Sequence, residues 1–143
     1  MVAAIALAST GLFAGAACYV TFVEHPARLS CGTTVALAEF RPSYRRGTVM
    51  QASLAAIGLA TAILAWMASG DVTSLLAGVL LGSVIPFTLV MILPTNKRLT
   101  DSSLDPSSAE AAALLSRWGR LHAVRTTAGL VAFGLLLTAF ARG

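Results

Sequence analysis

Five residues whose side chains can transfer protons or donate hydrogen bonds lie near the ends of apolar stretches: His25, Asn96, Trp118, His122 and Arg125. Histidine takes up and releases protons near neutral pH, while the amide, indole and guanidinium groups donate hydrogen bonds. Polar side chains in such positions also cap helix carbonyls or bind lipid headgroups, and Trp is common at membrane interfaces. We expect a functional site where several of them face the inside of a helix bundle, because burying ionisable groups is costly.

Helical spacing places these residues on faces that also carry small residues. At about 100° per residue, three predicted faces result. The first segment presents Gly11, Gly15, Cys18, Phe22 and His25; the third presents Gly82, Pro86, Leu89, Leu93 and Asn96; the fourth presents Ala111, Leu115, Trp118, His122, Arg125 and Gly129. The spacing therefore predicts that the five polar residues converge near one membrane depth, with Arg117 and Arg120 on the opposite, solvated face of the fourth helix.

The elements that must position these residues are apolar helices. Hydrophobic residues make up 57% of the 143 residues and charged residues 11%, a composition outside the range of soluble proteins. Four stretches approach the roughly 20 residues that a helix needs to cross a bilayer, at 2–23, 49–70, 72–93 and 126–141. We predict an all-α, antiparallel transmembrane four-helix bundle, with residues 1–143 as a single domain.

The fourth helix is predicted to be longer than a bilayer requires. Its start is indicated by Asp105 before Pro106, or alternatively by Ser107 and Glu110 with the spacing of a capping box. No proline follows before Ala141, so we expect about 35 residues, with the first turns projecting from the membrane or lying in its interface.

The distribution of basic residues predicts the orientation in the membrane. Segments 24–48 and 94–125 hold nine of them, whereas the termini and the turn after the second span carry only Arg142. By the positive-inside rule, both of those connections face the cytoplasm and both termini lie outside. Because no Lys or Arg precedes Arg28, we interpret the first segment as a retained span rather than a secretory signal. The expected location is a bacterial cytoplasmic membrane.

The same charge distribution argues against nucleic acid as a partner, since the net charge of +4 is divided between two juxtamembrane segments. Cys18 and Cys31 lack the spacing of a metal site, and the chain contains no motif for non-haem iron, a dinucleotide or covalent haem. Membrane lipid is the expected surrounding, and no metal site is predicted.

Small residues predict close packing between the helices. Gly11 with Gly15, and Gly78 with Gly82, form GxxxG pairs, and Gly58 with Ala62 repeats the same step. Any of these pairs that faces lipid would allow a homo-oligomer.

Four segments, in order, give the chain a family resemblance: YVTFVEHPARL at 19–29, RPSYRRG at 41–47, PFTLVMILPTNKRL at 86–99 and RWGRLHAVRTTAGLVAFG at 117–134. This series resembles the anthrone-oxygenase-like family of small four-helix membrane proteins over nearly the whole chain. The most specific pieces are EHPARL, LPTN and the triplet of Trp118, His122 and Arg125.

The resemblance implies an oxygenase that converts an anthrone, a tricyclic intermediate of aromatic polyketide pathways, into an anthraquinone with O₂ and no cofactor. It implies His122 as the first choice of base and His25 as the second, with Asn96 and Arg125 stabilising the oxyanion or a peroxide. The residues expected to contact the substrate rings are Trp118, Phe22 and Phe87, with Tyr44 as a possible phenol contact. Glu24 and Arg28 are expected to organise the surrounding segment.

Two other functions are compatible with the same residues. A haem- or quinone-binding electron-transfer bundle would use His25 and His122 as axial ligands on facing helices. A non-catalytic membrane partner or small transporter subunit would need only the packing faces and the polar caps.

Overall fold

The computed structural model describes residues 1–142 and contains four helices: α1 (Val2–Ser30), α2 (Thr33–Ser69), α3 (Val72–Thr100) and α4 (Ala109–Arg142). Each is long and apolar enough to cross a membrane, as an integral membrane protein requires, and no strand occurs within the described residues. The helices pack as a ring in which α1 contacts α2 and α4, and α3 contacts the same two. The predicted all-α four-helix bundle is therefore confirmed.

Three helices extend well beyond the predicted apolar spans. Helix α1 continues to Ser30 and α2 begins at Thr33, so the segment expected as a long connection is mostly helical. The turn between them contains Gly32 at φ +86°, a left-handed conformation that glycine adopts without strain. The first turns of α2 remain helical because Leu37 and Phe40 bury their side chains inside the bundle. The bundle thus continues past the apolar band.

Helix α4 begins at Ala109, later than either predicted start. Ser108 Oγ accepts a hydrogen bond from the Ala111 N–H at 3.1 Å and satisfies one of the free amides of the first turn. Asp105 instead accepts from the Ser107 N–H at 2.9 Å in the preceding turn. That hydrogen bond lowers the pKa of Asp105. Glu110 does not cap the helix, because it pairs with Arg98 on α3.

Both α1 and α3 contain a five-residue π-helical turn, at Val20–Glu24 and Thr88–Ile92. Each turn is followed by one residue and then a proline, Pro26 or Pro94. Proline has no N–H and its ring crowds the preceding turn, and a wider turn relieves this crowding. The extra residue rotates everything that follows by about 100° relative to a uniform helix.

This rotation makes the predicted faces of α1 and α3 wrong. On α1 the buried residues are Ala6, Ser9, Thr10, Phe13, Ala14 and Ala17. Gly15 and Phe22 are exposed instead, as are Pro86 and Leu89 on α3. His25 and Asn96 nevertheless point inward, because each lies beyond its π-turn. Helix α4 has no such turn and its predicted face is confirmed, with Arg117 and Arg120 exposed.

Close packing at small residues is confirmed between α2 and α3. A Cβ atom added to Gly78 would lie 2.8 Å from Ala62 Cβ, and one added to Gly58 would lie 2.5 Å from Leu81 Cδ2. In the GxxxG pair on α1, only Gly11 makes a close contact, with Phe133, whereas Gly15 faces open space.

Candidate active site

All four helices line a cavity on the side of the bundle where the two π-turns lie. The space amounts to ≈ 830 Å³, including its open side. Apolar surface predominates in the lining, as is usual in sites for small organic molecules. The polar residues of the lining are Glu24, Arg28, Ser43, Tyr44, Thr48, Gln51, Thr88, Asn96, His122 and Arg125.

An aromatic wall closes one side of the cavity. Tyr44 is stacked on Phe40 with ring centroids 5.7 Å apart, and Phe40 meets Trp118 edge to face at 5.2 Å. All three rings line the cavity, and helices α2 and α4 supply them. Phe40 and Tyr44 are parallel to within 1°, whereas Trp118 stands at 84° to Phe40, so the wall presents two planes at nearly a right angle. A planar ligand that stacks on Tyr44 would meet Trp118 edge to face.

His122 lies against this wall and is 3% exposed. Its imidazole is stacked on Trp118, one turn earlier on α4, with centroids 4.8 Å apart. Nδ1 lies 3.0 Å from Thr21 Oγ1. Nε2 has no hydrogen-bond partner among residues 1–142, so it is the nitrogen available to a molecule in the cavity.

Arg125 brings a positive charge to the cavity without a carboxylate to neutralise it. Its Nη2 donates to Gln51 Oε1 on α2 at 3.0 Å, and the guanidinium lies 5.7 Å from the centroid of the Phe13 ring. Nε is buried without a partner, and no acidic residue of the described chain forms an ion pair with Arg125. A half-buried cation in this state favours an anionic ligand.

Asn96 is a second polar group left without a partner. Its side chain is 2% exposed and lines the cavity, and its Oδ1 is buried with no hydrogen bond in the described chain. An unsatisfied buried amide oxygen costs about 1–3 kcal/mol, a cost that only a ligand with a hydrogen-bond donor, such as a hydroxyl group, would remove.

Glu24 and the buried Arg28, which both line the cavity, belong to an ion-pair network between α1 and α2. Arg28 pairs with Glu24 on its own helix and, through Nε at 2.6 Å, with Glu39 on α2. Ser43 Oγ donates to Glu24 Oε1 at 2.8 Å. The guanidinium also lies 5.8 Å from the centroid of the Trp118 ring, so the network supports the aromatic wall.

Comparison with known families agrees with this arrangement. A family model described as anthrone oxygenase matches residues 40–135, which is most of the chain. The chain belongs to the anthrone oxygenase family. The matched region includes Gln51, Asn96, Trp118, His122 and Arg125, whereas the cavity residues of α1 lie before it. No curated protein and no solved structure matches the chain.

The structure brings most of the predicted site residues of this anthrone oxygenase family member together. Seven line the cavity: Glu24, Arg28, Tyr44, Asn96, Trp118, His122 and Arg125. Phe22 does not, because the π-turn directs it outward, where its side chain is 70% exposed. Phe87 is also absent from the lining; it is half-buried and packs against a cluster of buried apolar residues that includes Phe40 and Trp118.

His25 is buried but does not line the cavity. Its ring is tilted against Trp118 with centroids 5.1 Å apart, and a Cβ added at Gly119 would lie 2.5 Å from its Nε2. Nδ1 is buried without a partner. Nε2 thus packs against Gly119, and the residue is absent from the cavity lining, which disfavours His25 as a base acting in the cavity and as a haem ligand facing His122. Its position instead holds α1 against α4 beneath Trp118.

Among the residues of the site that were not predicted are Gln51, Phe40 and Thr21. Gln51 carried a usable signal, since it is the only amide in the uncharged stretch 49–70. Phe40 and Thr21 gave none, because single aromatic and hydroxyl residues are common in apolar helices. Thr21 lies four residues after the buried Ala17 and so continues the buried face of α1.

Proposed function

We propose that this protein is a cofactor-independent oxygenase that converts an anthrone-type aromatic polyketide intermediate into an anthraquinone with O₂. The observation that carries the proposal is the unneutralised Arg125, which lies with the unpartnered Asn96 in an apolar, aromatic cavity beside His122. A neutral anthrone suits the apolar walls. Its enolate would supply the anion that Arg125 lacks, and the amide N–H of Asn96 can donate to the same oxygen.

The first step is proton transfer. His122 Nε2 takes a proton from the methylene group of the central ring, and the negative charge moves to the carbonyl oxygen on the opposite side of that ring. Arg125 and the amide of Asn96 donate hydrogen bonds to this oxygen. Donors that are already in place in a site with little water stabilise a developing oxyanion strongly.

The second step uses the electron-rich enolate as the reductant. It passes one electron to O₂, and the resulting radical pair combines to form a bond between the former methylene carbon and oxygen. The imidazolium of His122 returns its proton to the distal peroxide oxygen. Loss of the remaining C–H proton, with cleavage of the O–O bond, leaves the second carbonyl and releases water. The balance is anthrone plus O₂ giving anthraquinone plus water.

The aromatic wall orients the substrate for both steps. Stacking on Tyr44, with Trp118 meeting the substrate edge to face, fixes the plane of the three fused rings, because Trp118 lies nearly perpendicular to the parallel rings of Phe40 and Tyr44. The reacting methylene must then lie next to His122 while the carbonyl reaches the polar groups of α2, α3 and α4. Holding the reacting groups in this way supplies much of the rate of such a reaction.

The test is turnover by purified protein. The protein is treated with a chelator, incubated with a panel of anthrones with and without O₂, and followed by quinone absorbance and O₂ consumption. We expect O₂-dependent quinone formation that falls by about 10² to 10⁴ in His122→Gln. Arg117→Gln, which changes an exposed charge on the same helix, is the matched control and should leave the rate unchanged. A quinone rate equal to that of the solution without protein, for every anthrone tried, would refute the proposal.

A further inference from the structure

Two threonine hydroxyls connect the imidazole of His122 to the backbone. Thr21 Oγ1 lies 3.0 Å from His122 Nδ1 and 2.7 Å from Thr126 Oγ1. Thr126 Oγ1 in turn lies 3.1 Å from the His122 carbonyl oxygen and 3.3 Å from the Ala17 carbonyl oxygen. The chain of contacts therefore runs from α4 through α1 and back to α4.

We propose that Thr21 and Thr126 are positioning residues that hold His122 with its proton on Nδ1, so that the lone pair of Nε2 faces the cavity. The connection to catalysis rests on the proposed function, in which Nε2 is the base. The tautomer itself does not depend on that function.

The direction of the hydrogen bonds follows from counting protons. Each hydroxyl donates one hydrogen, and the two carbonyl oxygens beside Thr126 can only accept. Thr126 therefore donates to a carbonyl, as helical threonines commonly do to the residue four positions earlier. Thr21 then donates to Thr126 and accepts from the Nδ1–H of His122. If Thr126 instead donated to Thr21, and Thr21 to His122 Nδ1, the Thr126 hydroxyl would have no hydrogen left for either carbonyl oxygen. Its lone pairs would then face both carbonyl oxygens, which is unfavourable.

The tautomer matters because only one of the two can act as a base in the cavity. With the proton on Nε2, the cavity would meet an N–H donor and the imidazole could not accept the substrate proton there. With the proton on Nδ1, the imidazolium that forms after proton transfer keeps its hydrogen bond to Thr21. The π-turn at Val20–Glu24 contains Thr21 and carries its hydroxyl to α4.

The tautomer is measurable by ¹⁵N NMR of protein labelled only at histidine, because protonated and unprotonated ring nitrogens have well-separated shifts. The chain has two histidines, His25 and His122. The signals of His122 are identified by their loss in His122→Gln, and independently by their retention in His25→Gln. We expect a protonated Nδ1 and an unprotonated Nε2 in the parent protein at pH 8.

Replacement of Thr126 should reverse this pattern. In Thr126→Val the Thr21 hydroxyl has no acceptor other than His122 Nδ1, so the proton should move to Nε2; Thr126→Ser should keep the parent pattern. Thr127→Val is the matched control, because the exposed Thr127 hydroxyl donates only to the Ala123 carbonyl at 3.1 Å. A parent protein with the proton on Nε2, or a Thr126→Val variant that keeps it on Nδ1, would overturn the proposal.

The kinetic readout separates this proposal from the proposed function. If His122 is the base, Thr126→Val should lower kcat by up to about 10² with little change in KM, and Thr126→Ser should recover most of the loss. An inactive parent protein with the expected NMR pattern would refute the oxygenase and leave the hydroxyl relay intact. An active parent protein with the opposite tautomer would refute only the relay.

A separate observation concerns how the cavity opens. Among its lining residues, those with exposed side chains are Thr48 and Ala52 on α2 and Leu89 on α3. Every lining residue from α1 and α4 is buried or half-buried. Helices α2 and α3 are neighbours, so the opening is a lateral gap between them.

We infer that this gap is a portal through which an apolar aromatic substrate enters from the bilayer. It lies at the edge of the apolar part of α2, just after Arg45 and Arg46. That position corresponds to the boundary between headgroups and hydrocarbon, where flat molecules with an apolar body and a polar edge accumulate. This inference rests on the proposed function only for the identity of the substrate.

Labelling tests the portal without turnover. In a chain with both native cysteines replaced by Ser, Ala52→Cys in vesicles should react with a membrane-soluble maleimide and hardly at all with a charged one. Equal reaction with the charged reagent would place the opening in water and overturn the inference.

With anthraquinone as the ligand, Ala52→Phe should lower the association rate by about tenfold or more. Ala56→Phe, an exposed position one turn away that does not line the cavity, should have no such effect.

Discussion

Replacement of Arg125 by Met should change activity and stability in different directions. Transferring a guanidinium group from water to a half-buried position costs several kcal/mol of folding free energy. This desolvation cost is usually offset by an ion pair with a carboxylate. Here the compensating contacts are one hydrogen bond to Gln51 and the approach to the Phe13 ring. These contribute about 1.5–3 and about 0.5–2 kcal/mol respectively. The net contribution of Arg125 to stability is therefore close to zero or unfavourable.

The contribution of Arg125 to turnover should be large, because removing one oxyanion donor typically lowers kcat by about 10² to 10³. We therefore expect Arg125→Met to lose most of its activity while its Tm in detergent stays the same or rises. Quinone formation and a thermal unfolding scan on the same preparation measure both quantities. Arg28→Met is the contrasting variant, because Arg28 pairs with two carboxylates and its loss should lower the Tm. A parallel loss of stability and activity in Arg125→Met would show that Arg125 has a structural role and would refute the reasoning.

Four further predictions follow from the same geometry. In the slow Asn96→Ala enzyme the rate should rise with pH, and this rise should vanish when His122→Gln is added but persist with His25→Gln; the opposite pattern would make His25 the base. Gly119→Ala should lower the Tm, since its Cβ would lie 2.5 Å from His25 Nε2, whereas Gly134→Ala, which has open space, should be neutral or stabilising. If the basic segments face the cytoplasm, as the positive-inside rule predicts, a cysteine at Asp71 should react with an impermeant thiol reagent added outside intact cells and one at Ser103 should not; the reverse pattern would contradict the predicted orientation. Pro94→Ala should restore an N–H and favour a regular helix, which would turn Asn96 away from the cavity. Because Asn96 donates to the enolate oxygen in the proposed mechanism, enolate formation without O₂ and turnover should both fall, and unchanged turnover would contradict the role given to the π-turn.

The predictable part of the site is the part built on uniform helices. Helical periodicity correctly placed Trp118, His122 and Arg125 on the inward face of α4, because α4 runs from Ala109 to Arg142 without a π-turn. The same counting failed for Phe22, since the five residues from Val20 to Glu24 include one more residue than a regular turn accommodates. A proline is visible in the sequence, but whether the preceding turn widens, kinks or ends depends on packing against the neighbouring helices.

Residues that act through partners were harder to predict. Gln51 contributes by accepting a hydrogen bond from Arg125, 74 positions later in the chain. Thr21 contributes through a contact with His122, 101 positions away. Neither partner can be assigned from local spacing, because the pairing depends on which helices are neighbours and on their rotation. His25 shows the converse, since its buried position was predicted but its packing against Gly119 and Trp118, outside the cavity lining, was not.

Helices α1 and α3 share one arrangement of a π-turn, a proline and a polar residue that lines the cavity. Both are 29 residues long and both place a proline directly after a π-turn and one further residue. In each, the residue two positions beyond the proline lines the cavity, Arg28 in one helix and Asn96 in the other. The two helices lie diagonally across the ring, since each packs mainly against α2 and α4. The widened turns therefore direct polar side chains into the cavity from opposite sides, while the regular helix before each turn keeps its apolar outer face toward lipid. In a uniform helix, each residue is rotated by about 100° from the one before, so the residues that face lipid in the first part would determine which residues face the cavity in the last part. Such a helix could not keep its apolar face toward lipid and also direct Arg28 or Asn96 into the cavity.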